Sequence, residues 1–220
     1  MHKVLIGIFA HPDDEAFGPS GTLLKLRDEG CDILLILLTD GNAGVNVDDV
    51  PNLAAARLAE WQASAKLIGA TSTHALHYSD GSLETIDTHE LDKNVHQIIA
   101  KTIDTYTDPV EVSFMTFEPN GLTGHYDHIT ASKIASRMAK EFKAHEIWYF
   151  CLDSTQAPLQ DTAYYEPRAR EDSYITTRID VSKWLDAKHT VMDTHVSQRH
   201  DAEVMKKLGL TTECFHIDRF

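Results

Sequence analysis

Near the N-terminus, Ala10-His11-Pro12-Asp13-Asp14-Glu15 sets an imidazole and three carboxylates directly after an apolar run. Far downstream, Gly124-His125-Tyr126-Asp127-His128 gathers two imidazoles and a carboxylate. Acidic side chains at a helix N-terminus suit the helix dipole, which accounts for one or two of the first set. It does not account for a His and three acids at the mouth of a buried strand, where their repulsion is costly without a cation. On a tight Pro-containing turn, an imidazole and a carboxylate three residues apart both reach one divalent ion. The neighbouring carboxylate then points at water rather than at the ion. A His/carboxylate/His set with one open position is a catalytic zinc arrangement, and it requires a second His from elsewhere in the chain. His125 and His128 are three apart and so are expected to share one helix face. Ala131, Ala135, Met138 and Phe142 continue that face.

The elements that must position these residues alternate in type. Val4 to Ala10 and Ile33 to Leu38 are continuous apolar runs, as expected of strands covered on both faces. Ser20 to Glu29 reads as a helix stopped by Gly30. Pro51 opens another, with Ala54, Leu58, Trp61, Ala65 and Ile68 at steps of four and three, closed by Gly69. A weaker strand over Thr73 to Tyr78, a helix over Asp87 to Tyr106, a strand over Val112 to Phe117, a helix over Gly124 to Phe142 and a strand over Ile147 to Cys151 follow. This β-α-β-α order predicts an α/β fold: a mostly parallel sheet with helices on both faces. In the doubly wound order 3-2-1-4-5, the first and fourth strands are neighbours, and ligands bind beyond their carboxyl ends. Both histidine clusters fall there. After Cys151 the alternation falters: 153–170 is loop-like, Ser173 to Val181 reads as a strand, Ser182 to Leu208 as one long helix, and Glu213 to Asp218 as a last strand. The expectation is one domain over 1–220, with a core over 1–151 and an extension over 152–220 packed on it.

Composition narrows the partners. The 220 residues carry a formal net charge of −14, which disfavours nucleic acid and anionic membrane surfaces. No apolar run approaches the roughly 20 residues of a spanning helix, and no secretory cleavage site follows the first apolar run. Cys31, Cys151 and Cys214 are odd in number and form no Cys-x-x-Cys pair, which fits a reducing cytoplasm and buried thiols. A small molecule is the expected partner, and self-association into a homo-oligomer is left open.

At its two clusters the sequence resembles the LmbE-like (PIG-L) family of zinc-dependent N-acetylglucosaminyl deacetylases. Ala-His-Pro-Asp-Asp-Glu after the first strand and His-x-Asp-His at a helix start carry the resemblance. Weaker matches are Thr39-Asp40-Gly41 with Gly44, Arg57-x-x-Glu60, Ile179-Asp180-Val181, Lys188 and His195-x-x-Gln198. The resemblance implies a Rossmann-like fold and a metal-dependent N-deacetylase acting on an N-acetylated sugar. It implies His11, Asp14 and His128 as ligands of Zn2+, a set that also accepts Fe2+. It further implies Asp13 as general base on metal-bound water, His125 facing the oxyanion or leaving nitrogen, and Asp127 orienting His125. The proton for the departing amine then comes either from His125, held cationic by Asp127, or from Asp13 acting as a shuttle. Two positions depart from the family pattern: Asn42 stands where Glu is common, and Tyr126 where Pro is frequent.

Four residues are candidates for the substrate side: Arg57, Asn42, Tyr126 and Asp80. Arg57 either reaches an anionic or hydroxyl-rich substrate group or forms an i,i+3 ion pair with Glu60. Asp80-Gly81 is a turn that could line the pocket, and His195 with Gln198 either caps the site or is surface polarity. Two rival functions fit the same residues. One is a non-catalytic zinc or sugar-binding protein, against which Asp13 and Asp127 speak, since ligation alone needs neither. The other is a different metal-dependent hydrolase; phosphate chemistry is disfavoured because no basic cluster lies beside either motif.

Overall fold

A computed structural model describes residues 1–157 and 166–220. Strands β1 (His2–Phe9), β2 (Asp32–Thr39), β3 (Ser72–Tyr78), β4 (Val110–Phe117) and β5 (Glu146–Cys151) alternate with helices along the chain. A single helical turn, α1 (Asp14–Phe17), precedes α2 (Ser20–Asp28); then come α3 (Leu53–Ile68), α4 (Thr88–Ile103), a turn α5 (Gly121–Gly124) and α6 (Tyr126–Glu141). The C-terminal part adds β6 (Thr177–Asp180), α7 (Leu185–Met192), α8 (Arg199–Leu208) and β7 (Thr212–Arg219).

All seven strands form one sheet in the order β3-β2-β1-β4-β5-β7-β6. The first five are parallel, whereas β7 runs antiparallel to both β5 and β6. Side-chain alternation divides β1 between two cores. Val4, Ile6 and Ile8 pack with β2, α4 and α6 on one face, and Leu5 and Phe9 pack with α2 and α3 on the other. This two-sided burial is why β1 and β2 read as unbroken apolar runs.

Three expectations shift. The buried face of α3 is Leu53, Arg57, Trp61, Ser64, Ala65 and Ile68, so Ala54 and Leu58 sit at its margin. The long helix over Ser182 to Leu208 is broken: α7 ends at Met192 and α8 begins at Arg199. Tertiary bonds to His195 and Ser197 in the intervening turn outbid helix continuation. The strand over Ser173 to Val181 is only the four-residue β6. Part of the loop expected over 153–170, residues 158–165, lies outside the described residues. Cys151 and Cys214, distant in sequence, are register partners across β5 and β7. Burial pushes their thiols up to about 12 and about 11. Among the described residues, no helix is long and apolar enough to cross a membrane.

One buried ion pair ties the C-terminal elements to the start of the core. Helix α2 begins after Pro19, which offers no side-chain cap. Glu213 of β7 supplies one, accepting from Gly21 N (2.9 Å) and Thr22 N (2.7 Å). An anion at a helix N-terminus is favourable. Lys188 of α7 neutralises it at 2.5 Å and also donates to Gly18 O at 2.9 Å. Removing one partner of a buried pair strands the other charge in a dry setting. Lys188→Met is therefore expected to lower the unfolding free energy by about 3–5 kcal/mol, read as a drop in the urea midpoint at unchanged slope.

Candidate metal centre

The site lies beyond the carboxyl ends of β1 and β4. His11 and Asp13 occupy the turn after β1, Asp14 opens α1, and His128 is in the first turn of α6. The strand order reverses between neighbouring β1 and β4, the switch point at which doubly wound sheets bind ligands. His11 Nδ1 stands 3.0 Å from His128 Nε2, and His128 Nε2 stands 3.2 Å from Asp14 Oδ1. Asp14 Oδ2, which is 3.7 Å from His11 Nδ1, also accepts from Ala10 N (3.0 Å) and His11 N (2.8 Å). Three donor atoms around a tetrahedral ion at ordinary ligand lengths of about 2.0–2.2 Å lie about 3.3–3.6 Å apart. His11, Asp14 and His128 therefore form a group that could hold a metal ion.

The tautomers sharpen this fit. His128 Nδ1 must donate to Gly121 O at 3.0 Å, because a carbonyl only accepts. His11 Nε2 faces Asp80 Oδ1 at 3.0 Å and Asp127 Oδ2 at 3.3 Å, so it too carries its proton. In neutral rings, the facing His11 Nδ1 and His128 Nε2 would then both present lone pairs at 3.0 Å. A metal ion between them resolves this confrontation, and in its absence a proton on His11 Nδ1 donated to His128 Nε2 does so. Each ring is also steered from behind by a carboxylate or carbonyl, as metal-binding imidazoles usually are.

Charges follow the same geometry. Burial opposes a charge on His11, but the hydrogen bonds to Asp127 and Asp80 and the field of Asp14 prevail and raise it to about 10. Burial likewise opposes ionisation of Asp14, yet His128 and His11 hold its carboxyl well below the usual range. Asp13 is different. Burial lifts it to about 6 against the pull of Arg57.

Asp13 is not among the converging donors. Its backbone has φ 117°, and its Oδ2 accepts from Arg57 Nη2 at 2.8 Å. Arg57 also donates to Pro12 O (2.7 Å) and Gly41 O (2.8 Å) and is 3% exposed. Of the two alternatives for Arg57, the ion pair with Glu60 does not form; Glu60 accepts from the backbone and hydroxyl of Ser197 instead. Gly44 is required by this arrangement, since a Cβ there would run into Arg57 Nη1. Nη1 and Nη2 of Arg57 thus bond to the protein, while its buried Nε has no partner among the described residues.

His125 is the N-cap of α6 rather than a member of its face, and its Nδ1 accepts from Asp127 N at 3.1 Å. The two rings nevertheless pack close, with His11 and His125 centroids 4.6 Å apart. The Asp127 carboxylate does not orient His125. It accepts from Gly81 N (2.7 Å) and Leu83 N (3.0 Å) and faces His11. Burial, with the fields of His11 and His128, lowers the pKa of His125 against Asp127, so the expected cationic His125 is replaced by a neutral ring. Asp80 partners His11, and His11, Asp80 and His125 form a second close group. Asn42 is exposed and holds the Asp80 turn, accepting from Asp80 N at 2.8 Å. Tyr126 lies at the exposed rim.

Sequence reasoning missed two supports. Buried Glu118 accepts from Asn120 N (2.9 Å), Leu122 N (3.1 Å) and Arg170, fixing the loop that presents Gly121 O to His128. Gly81 and Leu83 contribute only backbone amides, which no residue-type pattern reveals.

Residues 6–139 match a family model described as PIG-L, GlcNAc-PI de-N-acetylase. A diacetylchitobiose deacetylase of Thermococcus kodakarensis is 40% identical over 101 residues, 45% of this chain and 37% of that protein's length. A 1D-myo-inositol 2-acetamido-2-deoxy-alpha-D-glucopyranoside deacetylase of Salinispora arenicola is 25% identical over 90% of this chain and 76% of its own. Among solved structures, the N,N'-diacetylchitobiose deacetylase of Pyrococcus horikoshii superposes with a TM-score of 0.68 at 22% identity, covering 99% of this chain and 84% of that one. The 4-carboxy-2-hydroxymuconate hydratase of Pseudomonas putida reaches 0.71 at 16% identity, covering 99% and 96%. The fold alone therefore hosts more than one chemistry.

Proposed function

We propose, for a chain that belongs to the PIG-L family of GlcNAc-PI de-N-acetylases, a zinc-dependent hydrolase that removes the N-acetyl group from an N-acetylglucosamine-type sugar or conjugate. The observation that carries this reading is the convergence of His11 Nδ1, Asp14 Oδ1 and His128 Nε2, with both imidazole lone pairs aimed at one point. A zinc ion bound there polarises an amide carbonyl and lowers the pKa of a water from about 16 toward about 7; iron(II) suits the same donors.

The remaining work falls to the chain's own groups. Asp13, held beside the donors but outside them, takes a proton at its carboxylate from the attacking water. Burial raises its pKa from the ordinary carboxylate range toward neutrality, the direction that suits a general base. His125, with Nδ1 occupied by Asp127 N, carries its proton on Nε2 and donates a hydrogen bond from there to the developing oxyanion, while the protonated Asp13 carboxyl returns its proton to the departing nitrogen. The water oxygen bonds to the acyl carbon, the C–N bond breaks, and acetate and the free amine leave. Asp80 and Asp127 hold His11, while Asn42 and Tyr126 flank the side from which the sugar conjugate enters. The odd cysteine count supports a reducing, cytoplasmic setting for the enzyme.

The test is acetate release by metal-reconstituted protein from N-acetylglucosamine and from conjugates with a second sugar or an inositol. Stoichiometric acetate and free amine from at least one conjugate is the expected result. Bound zinc with no acetate from any of them would favour the sugar-binding alternative.

A further inference from the structure

The third acid of the first cluster does not face the donor group. Glu15 is 0% exposed and turns the other way, into the protein. Its Oε1 accepts from Ser64 Oγ of α3 and lies 3.2 Å from His195 Nε2 in the turn between α7 and α8. Its Oε2 accepts from the backbone N–H of Asp13 at 3.3 Å. The His195 and Glu15 side chains are both fully enclosed. His195 therefore answers the charge that the sequence left unexplained, from the far end of the chain.

We infer that Glu15 and His195 are positioning residues for Asp13, an inference that rests on the hydrolase reading above. Asp13 adopts φ 117°, a region that L side chains enter only when their surroundings impose it. The torsion φ turns the side chain relative to the N–H. Glu15 fixes the N–H, and Arg57 fixes the carboxylate at 2.8 Å. With both ends held, the unfavourable torsion is over-determined and the carboxylate stays aimed into the site. Glu15 in turn would be an unpaired buried charge without His195. The C-terminal elements thus reach the catalytic turn through one imidazole. His195 donates through Nε2 only, and its buried Nδ1 has no partner among the described residues.

Two variants test this. His195→Gln keeps a donor where Nε2 was, and His195→Ala removes it. The expected result is that His195→Ala lowers kcat roughly 10- to 100-fold, the effect of slight misplacement of a reacting group. KM and metal content stay at wild-type values, and His195→Gln restores most of kcat. Independently of turnover, amide hydrogen exchange at Asp13 in the metal-free protein should quicken in His195→Ala and recover in His195→Gln. A His195→Ala protein that is less stable but keeps wild-type kcat and Asp13 exchange overturns the inference and leaves a purely structural pair. Failure of the hydrolase reading looks different: the wild type itself releases no acetate, while the exchange measurement still decides the positioning role.

Discussion

Asp13→Asn is expected to lower kcat for acetate release by roughly 100- to 10,000-fold, the usual worth of a general base, while divalent metal remains bound at wild-type stoichiometry. Asp13 stands outside the group formed by His11, Asp14 and His128, so its loss leaves the donors intact. Asparagine is the informative replacement. It tolerates positive φ better than most residues, and its side-chain oxygen can still accept from Arg57, so the turn survives. Only the capacity to take a proton is removed. Acetate release and metal content measured on the same preparation separate the outcomes: full activity refutes the base assignment, and parallel loss of metal shows a disturbed turn.

Much of the scaffold was legible because its physics is local. β1 and β2 are buried on both faces, so their apolar runs are unbroken, and Gly30 and Gly69 take the positive φ that ends the helices before them. The meeting of His11 and His128 was also legible, since the β-α-β-α order predicts which loops share a crevice. What could not be read depends on partners without a residue-type signature. Arg57 sits on the buried face of α3 because its donors meet the carbonyls of Pro12 and Gly41 as well as Asp13. Apolar spacing assigns that face to Leu58. The carboxylate of Asp127 serves Gly81 and Leu83 amides rather than His125, its neighbour in sequence. The break at His195 follows from a bond to Glu15 across 180 positions, which no helical periodicity records. Strand direction is similarly hidden: a strand-like stretch at Glu213 to Asp218 does not say that β7 inserts antiparallel between β5 and β6.

His128→Ala should abolish stable metal binding and, with it, activity. It deletes one of three donors and one of the two lone pairs that face each other at 3.0 Å. A carboxylate and a single imidazole remain, too few to hold zinc through dialysis. Ligand binding to the folded state stabilises by RT ln(1 + [L]/Kd), about 2.7 kcal/mol at a hundredfold excess over Kd. Added zinc is therefore expected to raise the melting temperature of the wild type and of Asp13→Asn, and to leave His128→Ala unmoved. These three melting curves separate the ligand from the base without reference to any substrate. A His128→Ala protein that still shifts with zinc as the wild type does would mean that the ion sits elsewhere, and the assignments of His11 and Asp14 would fall with it.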